Sequence, residues 1–216
     1  LALLANLELI DGKPDAAIST IEKALAVAPN EDRFYAIKGR ALSAKEQYPA
    51  AEQAFLKALE LDDKKLANHS TLAAFYMEKR ELAKAKSSLE KMAKTFPDSS
   101  QPYLQMASID LMENNIEAAE QHLNQALKVD PKNSKLKAAI ADFYAKKGKI
   151  EQAEQLYKEA IQGAEKPEDL EAQLANFYFD YGKYDQAKAE MDKVLAKNEK
   201  NAMAKLVQAK FQLKDG

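Results

Sequence analysis

Residues 51–58 read Ala-Glu-Gln-Ala-Phe-Leu-Lys-Ala, and the spacing within this stretch decides the fold. Ala51 is followed four residues later by Phe55, and Ala58 comes three residues after that. Spacings of three and four residues place side chains on one face of an α-helix. Small alanines let a facing helix approach closely, and the large ring fills the space beside them. The stretch therefore predicts a helix that packs tightly against another helix.

The same pattern recurs along the chain at a shift of 34 residues. The first alanine recurs as Ala17, Ala51, Ala85, Ala119, Ala153 and Ala187. The large residue recurs as Ile21, Phe55, Leu89, Leu123, Tyr157 and Met191. In the preceding helix a small residue recurs as Ala5, Gly39, Ala73, Ala107, Ala141, Ala175 and Ala209. Because a single helical hairpin cannot bury its apolar face alone, consecutive hairpins are expected to stack.

Turn residues divide each unit into two helices. The glycines that share one register between the helices are Gly12, Gly148, Gly182 and Gly216, and glycine there can adopt the left-handed conformation that ends a helix. The prolines that close units are Pro29, Pro97 and Pro131. We predict helices at residues 1–11 and 14–28, then at 32–45 and 48–61, and so on by the same shift, with a last helix at about 202–214.

This pattern resembles the tetratricopeptide repeat (TPR). The second unit shows it in Tyr35, Gly39, Leu42, Tyr48, Ala51, Phe55 and Ala58. The resemblance implies an all-α fold, a right-handed α-α superhelix (solenoid) of about six helical hairpins plus a C-terminal helix. It predicts one domain over residues 1–216, with repeats at about 1–31, 32–65, 66–99, 100–133, 134–167, 168–201 and a partial 202–216. Since the pattern is cut at both ends, we expect a fragment of a longer chain.

Several positions depart from the repeat. Glu8 and Asp110 stand where the tyrosine-like residue is expected, and Leu9 and Leu111 are predicted to take over its packing. Lys38 stands where an apolar residue is usual.

The fifth unit also departs, because it lacks the closing proline. Around Gly163 and Pro167 we favour a variation in capping over a domain hinge, with Pro167 in the first turn of the next helix.

The amino-acid composition argues against several classes of function. The 216 residues include 32 Lys and Arg against 34 Asp and Glu, so the net charge is −2. This balance argues against nucleic-acid binding and against a polybasic membrane binder. The absence of cysteine excludes disulfides, thiol nucleophiles and cysteine-based metal sites. No apolar run is long enough to cross a membrane, so direct membrane insertion is not expected.

Side chains that carry chemistry are sparse and scattered. The two histidines, His69 and His122, lie in different repeats, and we interpret the first as a packing residue and the second as a surface residue. Asp11, Glu113 and Asp180 fall near the ends of first helices and are interpreted as solvated. No phosphate-binding loop or nucleophile elbow is present. The sequence therefore predicts no enzyme, no metal site and no cofactor.

What remains is a surface, since the resemblance implies that first helices line a concave groove. Its predicted peptide-contacting residues are Ala36, Arg40, Ser43, Ser70, Ala74, Met77, Leu104, Ser108, Asp142, Asn176 and Phe179. The same rows include Ala138 and Ala172. These small and apolar residues suit an apolar helix or an extended peptide. They equally suit packing between repeats without a ligand, and the sequence leaves both interpretations open.

One subclass of TPR domain, the chaperone-binding domains, can be tested by comparing residues at fixed positions. Chaperone-binding TPR domains hold a peptide's terminal carboxylates with Lys, Asn and Arg at fixed places on three first helices. The corresponding places here hold Ala36, Arg40, Thr71, Gln101 and Gln105, and neighbouring registers fit no better. We therefore predict no tight capture of an acidic C-terminus.

The predicted function is a protein–protein interaction scaffold that binds a protein or peptide in the groove. The alternative is a docking or self-association arm of a larger, envelope-associated protein whose activity lies outside this chain. Such self-association is expected to occur by end-to-end stacking. The composition is similar to that of long bacterial TPR arrays, some of them lipoproteins linked to exopolysaccharide assembly and exosortase sorting. The compartment, cytoplasm or bacterial periplasm and envelope, stays open.

Overall fold

The computed structural model describes residues 1–215, which form thirteen α-helices without a strand. Gly216 and its predicted turn lie outside the described residues. The helices are α1 (Ala2–Ile10), α2 (Pro14–Val27), α3 (Asp32–Ala44), α4 (Tyr48–Leu61), α5 (Leu66–Glu78), α6 (Leu82–Thr95), α7 (Gln101–Met112), α8 (Ile116–Val129), α9 (Ser134–Lys146), α10 (Ile150–Gln162), α11 (Glu168–Asp180), α12 (Tyr184–Lys197) and α13 (Ala202–Asp215). The predicted all-α helical-repeat fold is confirmed, and the predicted helix ends are correct to within about two residues.

Odd-numbered helices are the first helices of the repeats and even-numbered ones are the second helices. The chain divides into two compact units, one over Leu1–Val129 and one from Asp130 onward. The first unit contains four hairpins, α1–α2, α3–α4, α5–α6 and α7–α8. Each second helix from α2 to α6 also packs on the first helix that follows it. The second unit contains the hairpins α9–α10 and α11–α12, and α13 packs on both α11 and α12.

The repeated alanines form the cores of both units. All six alanines that open the second-helix pattern are fully buried, and so are Ala5, Ala73, Ala141 and Ala175 in first helices. The large residues facing them are also buried, for example Leu89 and Tyr157. The 34-residue pattern therefore marks the contacts that hold each hairpin together, as expected for close helix packing.

The turn between the two helices has a left-handed residue at one register in six repeats. Gly12, Gly148 and Gly182 have φ of 71°, 74° and 74°, which confirms their predicted role. Three residues with a side chain occupy the same register with positive φ: Glu46, Arg80 and Asn114. The conformation is therefore set by the repeat, and glycine only makes it easier to adopt.

Two of the predicted departures come out differently. Leu9 packs against the core of the first hairpins, but Leu111 is 43% exposed and does not take over the packing of repeat 4. Asp110 is itself buried there, because charged partners surround it. Pro167 precedes α11 as its N-cap residue, so the prediction that it lies in the first turn was wrong by one position.

Candidate functional site

The face of the first helices carries the predicted groove residues, and in the first unit three of them meet at one pocket. Arg40, Ser43 and Ala74 line a pocket of about 250 Å³ between α3 and α5, together with Thr71 and Glu78. The Arg40 guanidinium donates a hydrogen bond to the side-chain oxygen of Asn6, one repeat earlier in the same row. This bond orients an arginine that lines the pocket, and Glu78 of α5 adds a carboxylate to the same lining.

The Ser43 hydroxyl is a buried polar group of this pocket that lacks a partner. Its oxygen is buried and makes no hydrogen bond within residues 1–215. Thr71, in contrast, donates its hydroxyl proton to the Ala67 carbonyl at 2.7 Å. A buried hydroxyl without a partner is costly, so a ligand group that bonds to Ser43 after its side chain rotates toward the pocket would gain affinity.

Other predicted groove residues of the first unit lie on α5 and α7. Gln101 donates a hydrogen bond to the Ser70 hydroxyl oxygen at 3.0 Å, and this contact joins the two helices. Met77 packs against the hydrophobic core, while Leu104 and Ser108 are partly buried. Ala36 is also partly buried on α3. These side chains therefore serve inter-helix packing as well as offering surface.

The second unit has a larger pocket, of about 870 Å³, between α9, α11 and the segment that joins α10 to α11. Its lining includes the predicted groove residue Asp142 and also Ala138, from the same rows of first-helix residues. Ser134, Gly163 and Gln173 line it as well. Sequence reasoning missed these three residues. The available signal is the missing closing proline of repeat 5, for which the sequence favours a variation in capping over a domain hinge.

Asp142 is committed to a contact within its own hairpin. The Tyr157 hydroxyl donates a hydrogen bond to Asp142 Oδ1 at 2.5 Å. Burial of the phenol raises the pKa of Tyr157 well above its ordinary value, and the bond to the Asp142 carboxylate raises it further. The phenol therefore stays protonated and holds Asp142 at the edge of the pocket.

Asn176 and Phe179 contact α13. Lys210 Nζ donates to Asn176 Oδ1 at 2.7 Å and to Asp180 Oδ1 at 2.6 Å. The Phe179 and Phe211 rings meet edge to face with centroids 4.8 Å apart. Both predicted residues thus take part in packing between repeats, the second of the two interpretations that the sequence left open.

A recurring polar pair joins neighbouring repeats on the other side of the first helices. The Tyr76 hydroxyl donates to Glu52 at 2.8 Å, and 102 residues later the Tyr178 hydroxyl donates to Glu154 at 3.1 Å. The tyrosine belongs to a first helix and the glutamate to the preceding second helix. Burial raises the pKa of Tyr76 to about 12, and the Glu52 carboxylate acts in the same direction.

The histidines have structural contacts. His69 is buried, its Nε2 lies 2.8 Å from the Asp63 carbonyl oxygen, and its ring meets Phe96 edge to face. The packing role predicted for it is what the structure shows. His122, interpreted as a surface residue, is 31% exposed, and its Nδ1 lies 2.6 Å from Oδ2 of the buried residue Asp110.

The three carboxylates near first-helix ends each face a lysine. Asp11 pairs with Lys13 at 3.3 Å, and Glu113 pairs with Lys86 at 2.6 Å. Asp180 pairs with Lys210, as above. Over residues 1–215 no group of three or more potential metal ligands is close enough to hold an ion. In the same range no helix has the length and apolarity needed to span a bilayer.

Comparison with known proteins places this geometry in a family. One sequence model described as "Tetratricopeptide repeat" matches residues 76–143, 110–162 and 144–211, and a second model with the same description matches residues 3–65. No curated protein matches the chain.

Solved structures share the fold at low sequence identity. A tetratricopeptide repeat protein from Parabacteroides merdae is 19% identical with a TM-score of 0.62, over 98% of this chain and 84% of that one. The pilF protein of Pseudomonas aeruginosa is 16% identical with a TM-score of 0.61, over 97% of this chain and 95% of that one. YrrB, described as a TPR protein with an unusual peptide-binding site, is 16% identical with a TM-score of 0.55, over 88% and 97%.

Proposed function

The chain belongs to the tetratricopeptide repeat family, and from that premise we propose that it binds an extended peptide segment of a partner protein along the faces of its first helices. Proteins of this family are generally non-enzymatic, and the fold of this chain supports the general function of a protein–protein interaction scaffold. The proposal adds the place of contact and the kind of ligand.

The observation that carries the proposal is the pocket between α3 and α5. Ser43 offers a buried hydroxyl without a partner, and Arg40 is held beside it by Asn6. An extended peptide exposes main-chain amides and carbonyls at regular intervals, which suit a hydroxyl and a guanidinium respectively. The exposed methyl group of Ala74 leaves the mouth of the pocket open.

The proposal is tested with a peptide selected on the wild-type chain from a random display library. Ala74→Arg places a long side chain at the mouth of the pocket, and we expect it to weaken binding of that peptide by at least ~10-fold, the effect of about 1.4 kcal/mol. The matched control is Ala83→Arg, at an exposed alanine on the second helix α6. Equal affinities of the two variants in calorimetric titrations would place the contact elsewhere.

Self-association is a second candidate, favoured by the outer face of α1. Leu3, Leu7 and Ile10 are 74%, 51% and 80% exposed on that face. One repeat later the equivalents of the first two, Ile37 and Ala41, are buried, and α2 packs on their helix. An apolar face of this kind is suited to a second copy of the chain. Light scattering at several concentrations should give a dimer that Leu3→Glu with Leu7→Glu abolishes; a wild-type monomer throughout would reject this candidate.

A further inference from the structure

The second-helix side of the first unit contains a pocket that differs between two equivalent repeats. Between α2, α3 and α4 it has a volume of about 660 Å³, and between α4, α5 and α6 about 240 Å³. Eight of the nine residues that line the smaller pocket lie 34 positions beyond residues that line the larger one. The two pockets are therefore the same place in successive repeats, and side chains account for the difference.

Two substitutions open the larger pocket. Leu42 stands where repeat 3 has Tyr76, whose ring fills the equivalent place and reaches Glu52. Lys38 stands where repeat 3 has Leu72, a buried apolar side chain. The same position holds buried apolar residues in repeats 4, 5 and 6: Met106, Ile140 and Leu174. Repeat 2 thus lacks the aromatic ring and the apolar side chain that close this pocket in repeat 3.

The two pockets differ at the position of the tyrosine's hydrogen-bond partner as well as at the tyrosine itself. The residue equivalent to Glu52 is Ile18, which also lines the large pocket. Together with Leu42 and Ala54 it provides an apolar floor. Repeat 2 therefore has no ring at the position that Tyr76 fills in repeat 3, and no carboxylate to anchor a tyrosine hydroxyl there. Tyr35, at another position, contributes an aromatic side chain to the lining.

Charged residues surround this floor. Lys38, Lys45 and Lys57 line the pocket with Asp15 and Glu22, and Lys57 pairs at 2.8 Å with Glu60, which is 69% exposed. Lys38 pairs with Glu22 at 3.2 Å, and Lys45 pairs with Asp15. Because Glu22 and Asp15 are 58% and 80% exposed, these pairs are weak, and the lysines can exchange them for a carboxylate of a ligand.

We propose that the pocket between α2, α3 and α4 binds an aromatic side chain of a partner protein, flanked in the partner's sequence by acidic residues. The ring occupies the place that Tyr76 fills in the next repeat, over Ile18, Leu42 and Ala54. The flanking carboxylates pair with Lys38, Lys45 and Lys57. This site is separate from the face of the first helices, so the chain can hold two segments at once.

Three peptides test the ring and the charge separately. They are acetyl-Glu-Tyr-Glu-amide, acetyl-Glu-Ala-Glu-amide and acetyl-Lys-Tyr-Lys-amide, titrated to about 10 mM against the isotopically labelled full chain while backbone amide signals are followed by NMR. We expect the first peptide to shift amides of α2, α3 and α4 with a dissociation constant of ~1 mM, as suits a ligand of this size. The second should bind at least ~10-fold more weakly, because burial of a ring contributes about that factor or more. The third should also be weaker, since it reverses the charge.

Variants that fill the pocket complete the test. Leu42→Tyr with Ile18→Glu introduces the pair used in repeat 3, and it should weaken binding of the first peptide at least ~10-fold. Lys38→Leu restores the residue of repeat 3 and should also weaken binding, so the test does not depend on one variant folding. Ala74→Arg should leave this binding unchanged, which separates it from the proposed peptide site on the first helices.

The proposal is overturned by any of three results. These are no shift in α2 to α4 at 10 mM, equal binding of the three peptides, and unchanged binding by a folded Leu42→Tyr, Ile18→Glu variant.

Discussion

Asp110 Oδ1 lies 2.6 Å from Lys86 Nζ, at the position where the preceding repeat has Tyr76 bonded to Glu52. The two positions thus hold different residues in the two pairs. The carboxylate lies on the second helix in one pair, as Glu52, and on the first helix in the other, as Asp110. Asp110 is 1% exposed and also faces His122, and Lys86 also faces Glu113. The Asp110 and Glu113 carboxylates raise the pKa of Lys86, so the lysine stays charged. One structural position thus accepts a neutral donor on a carboxylate or a salt bridge, provided that the two helices match.

This match predicts rescue of one substitution by another. Lys86→Glu leaves Asp110 buried without its cation and adds a third carboxylate beside Asp110 and Glu113, so it should destabilise the first unit by about 3 kcal/mol or more. Adding Asp110→Tyr restores the pair of repeat 3 and should recover most of the loss. Urea unfolding followed by circular dichroism measures both.

The matched control reverses the swap in repeat 3. Tyr76→Asp should destabilise, and Tyr76→Asp with Glu52→Lys should be more stable than Tyr76→Asp alone. If the effects of the two single substitutions add within each pair, with no coupling energy beyond ~0.5 kcal/mol, then neither Lys86 and Asp110 nor Glu52 and Tyr76 act as a pair.

Gly39 is predicted to tolerate no side chain while Phe55 faces it. A Cβ at Gly39 would lie 2.6 Å from two ring carbons of Phe55. We expect Gly39→Ala to destabilise the first unit by about 1–3 kcal/mol through overpacking. Phe55→Leu introduces the residue that faces Ala73 in repeat 3, so the double variant should be more stable than Gly39→Ala. A Gly39→Ala variant that unfolds at the wild-type urea concentration would contradict the close approach.

The left-handed turn position predicts a graded series. Arg80 has φ of 55°, which costs a residue with a side chain roughly 1 kcal/mol. Arg80→Gly should therefore stabilise the chain by roughly 0.5–1 kcal/mol, whereas Asn114→Gly should gain less, since asparagine tolerates this conformation. Gly148→Ala should be destabilising. Midpoints of chemical denaturation rank the three variants, and a destabilising Arg80→Gly would show that its side-chain contacts outweigh the backbone term.

The fold could be predicted from the sequence because the same pattern of small and large side chains recurs in each repeat. The spacing of Ala51 and Phe55, an alanine followed four residues later by a large side chain, recurs in all six hairpins, so a helix boundary uncertain in one repeat is fixed by the others. Leu111 shows where such reasoning fails. A single departure from the pattern has no copy to compare, and its outcome depended on Lys86 and His122, residues distant in sequence.

The candidate sites were less predictable for the same reason. Repetition identifies which helix face a residue occupies, and the structure brings three residues of the predicted face, Arg40, Ser43 and Ala74, to one pocket. It does not tell whether a side chain is free for a ligand, because Asn176 bonds to Lys210 one repeat later. The most distinctive pocket arose from a departure, Lys38, whose effect is visible only when the volumes of two repeats are compared.

Acid should weaken the second unit through Glu154. Burial disfavours its ionised form, but hydrogen bonds from Lys158, Lys183 and Tyr178 outweigh burial and lower the pKa of Glu154 to about 2. A carboxyl whose pKa is lower in the folded state contributes stability above its unfolded value near 4.5, and that contribution disappears as the pH falls toward 2. Because Lys158 is half exposed and its attraction is screened, we expect a contribution of roughly 1–2 kcal/mol at pH 7.

The measurement is urea unfolding of wild type and Glu154→Gln at pH 7 and at several values between pH 5 and pH 2. The wild type should be more stable by roughly 1–2 kcal/mol at pH 7, and the difference should shrink steadily below pH 4.5. Glu199→Gln, at an exposed position after α12, is the control and should show little difference at any pH. A gap between wild type and Glu154→Gln that stays constant from pH 7 to pH 2 would mean that the substitution acts through packing, because only the ionised carboxylate of Glu154 attracts the two lysines.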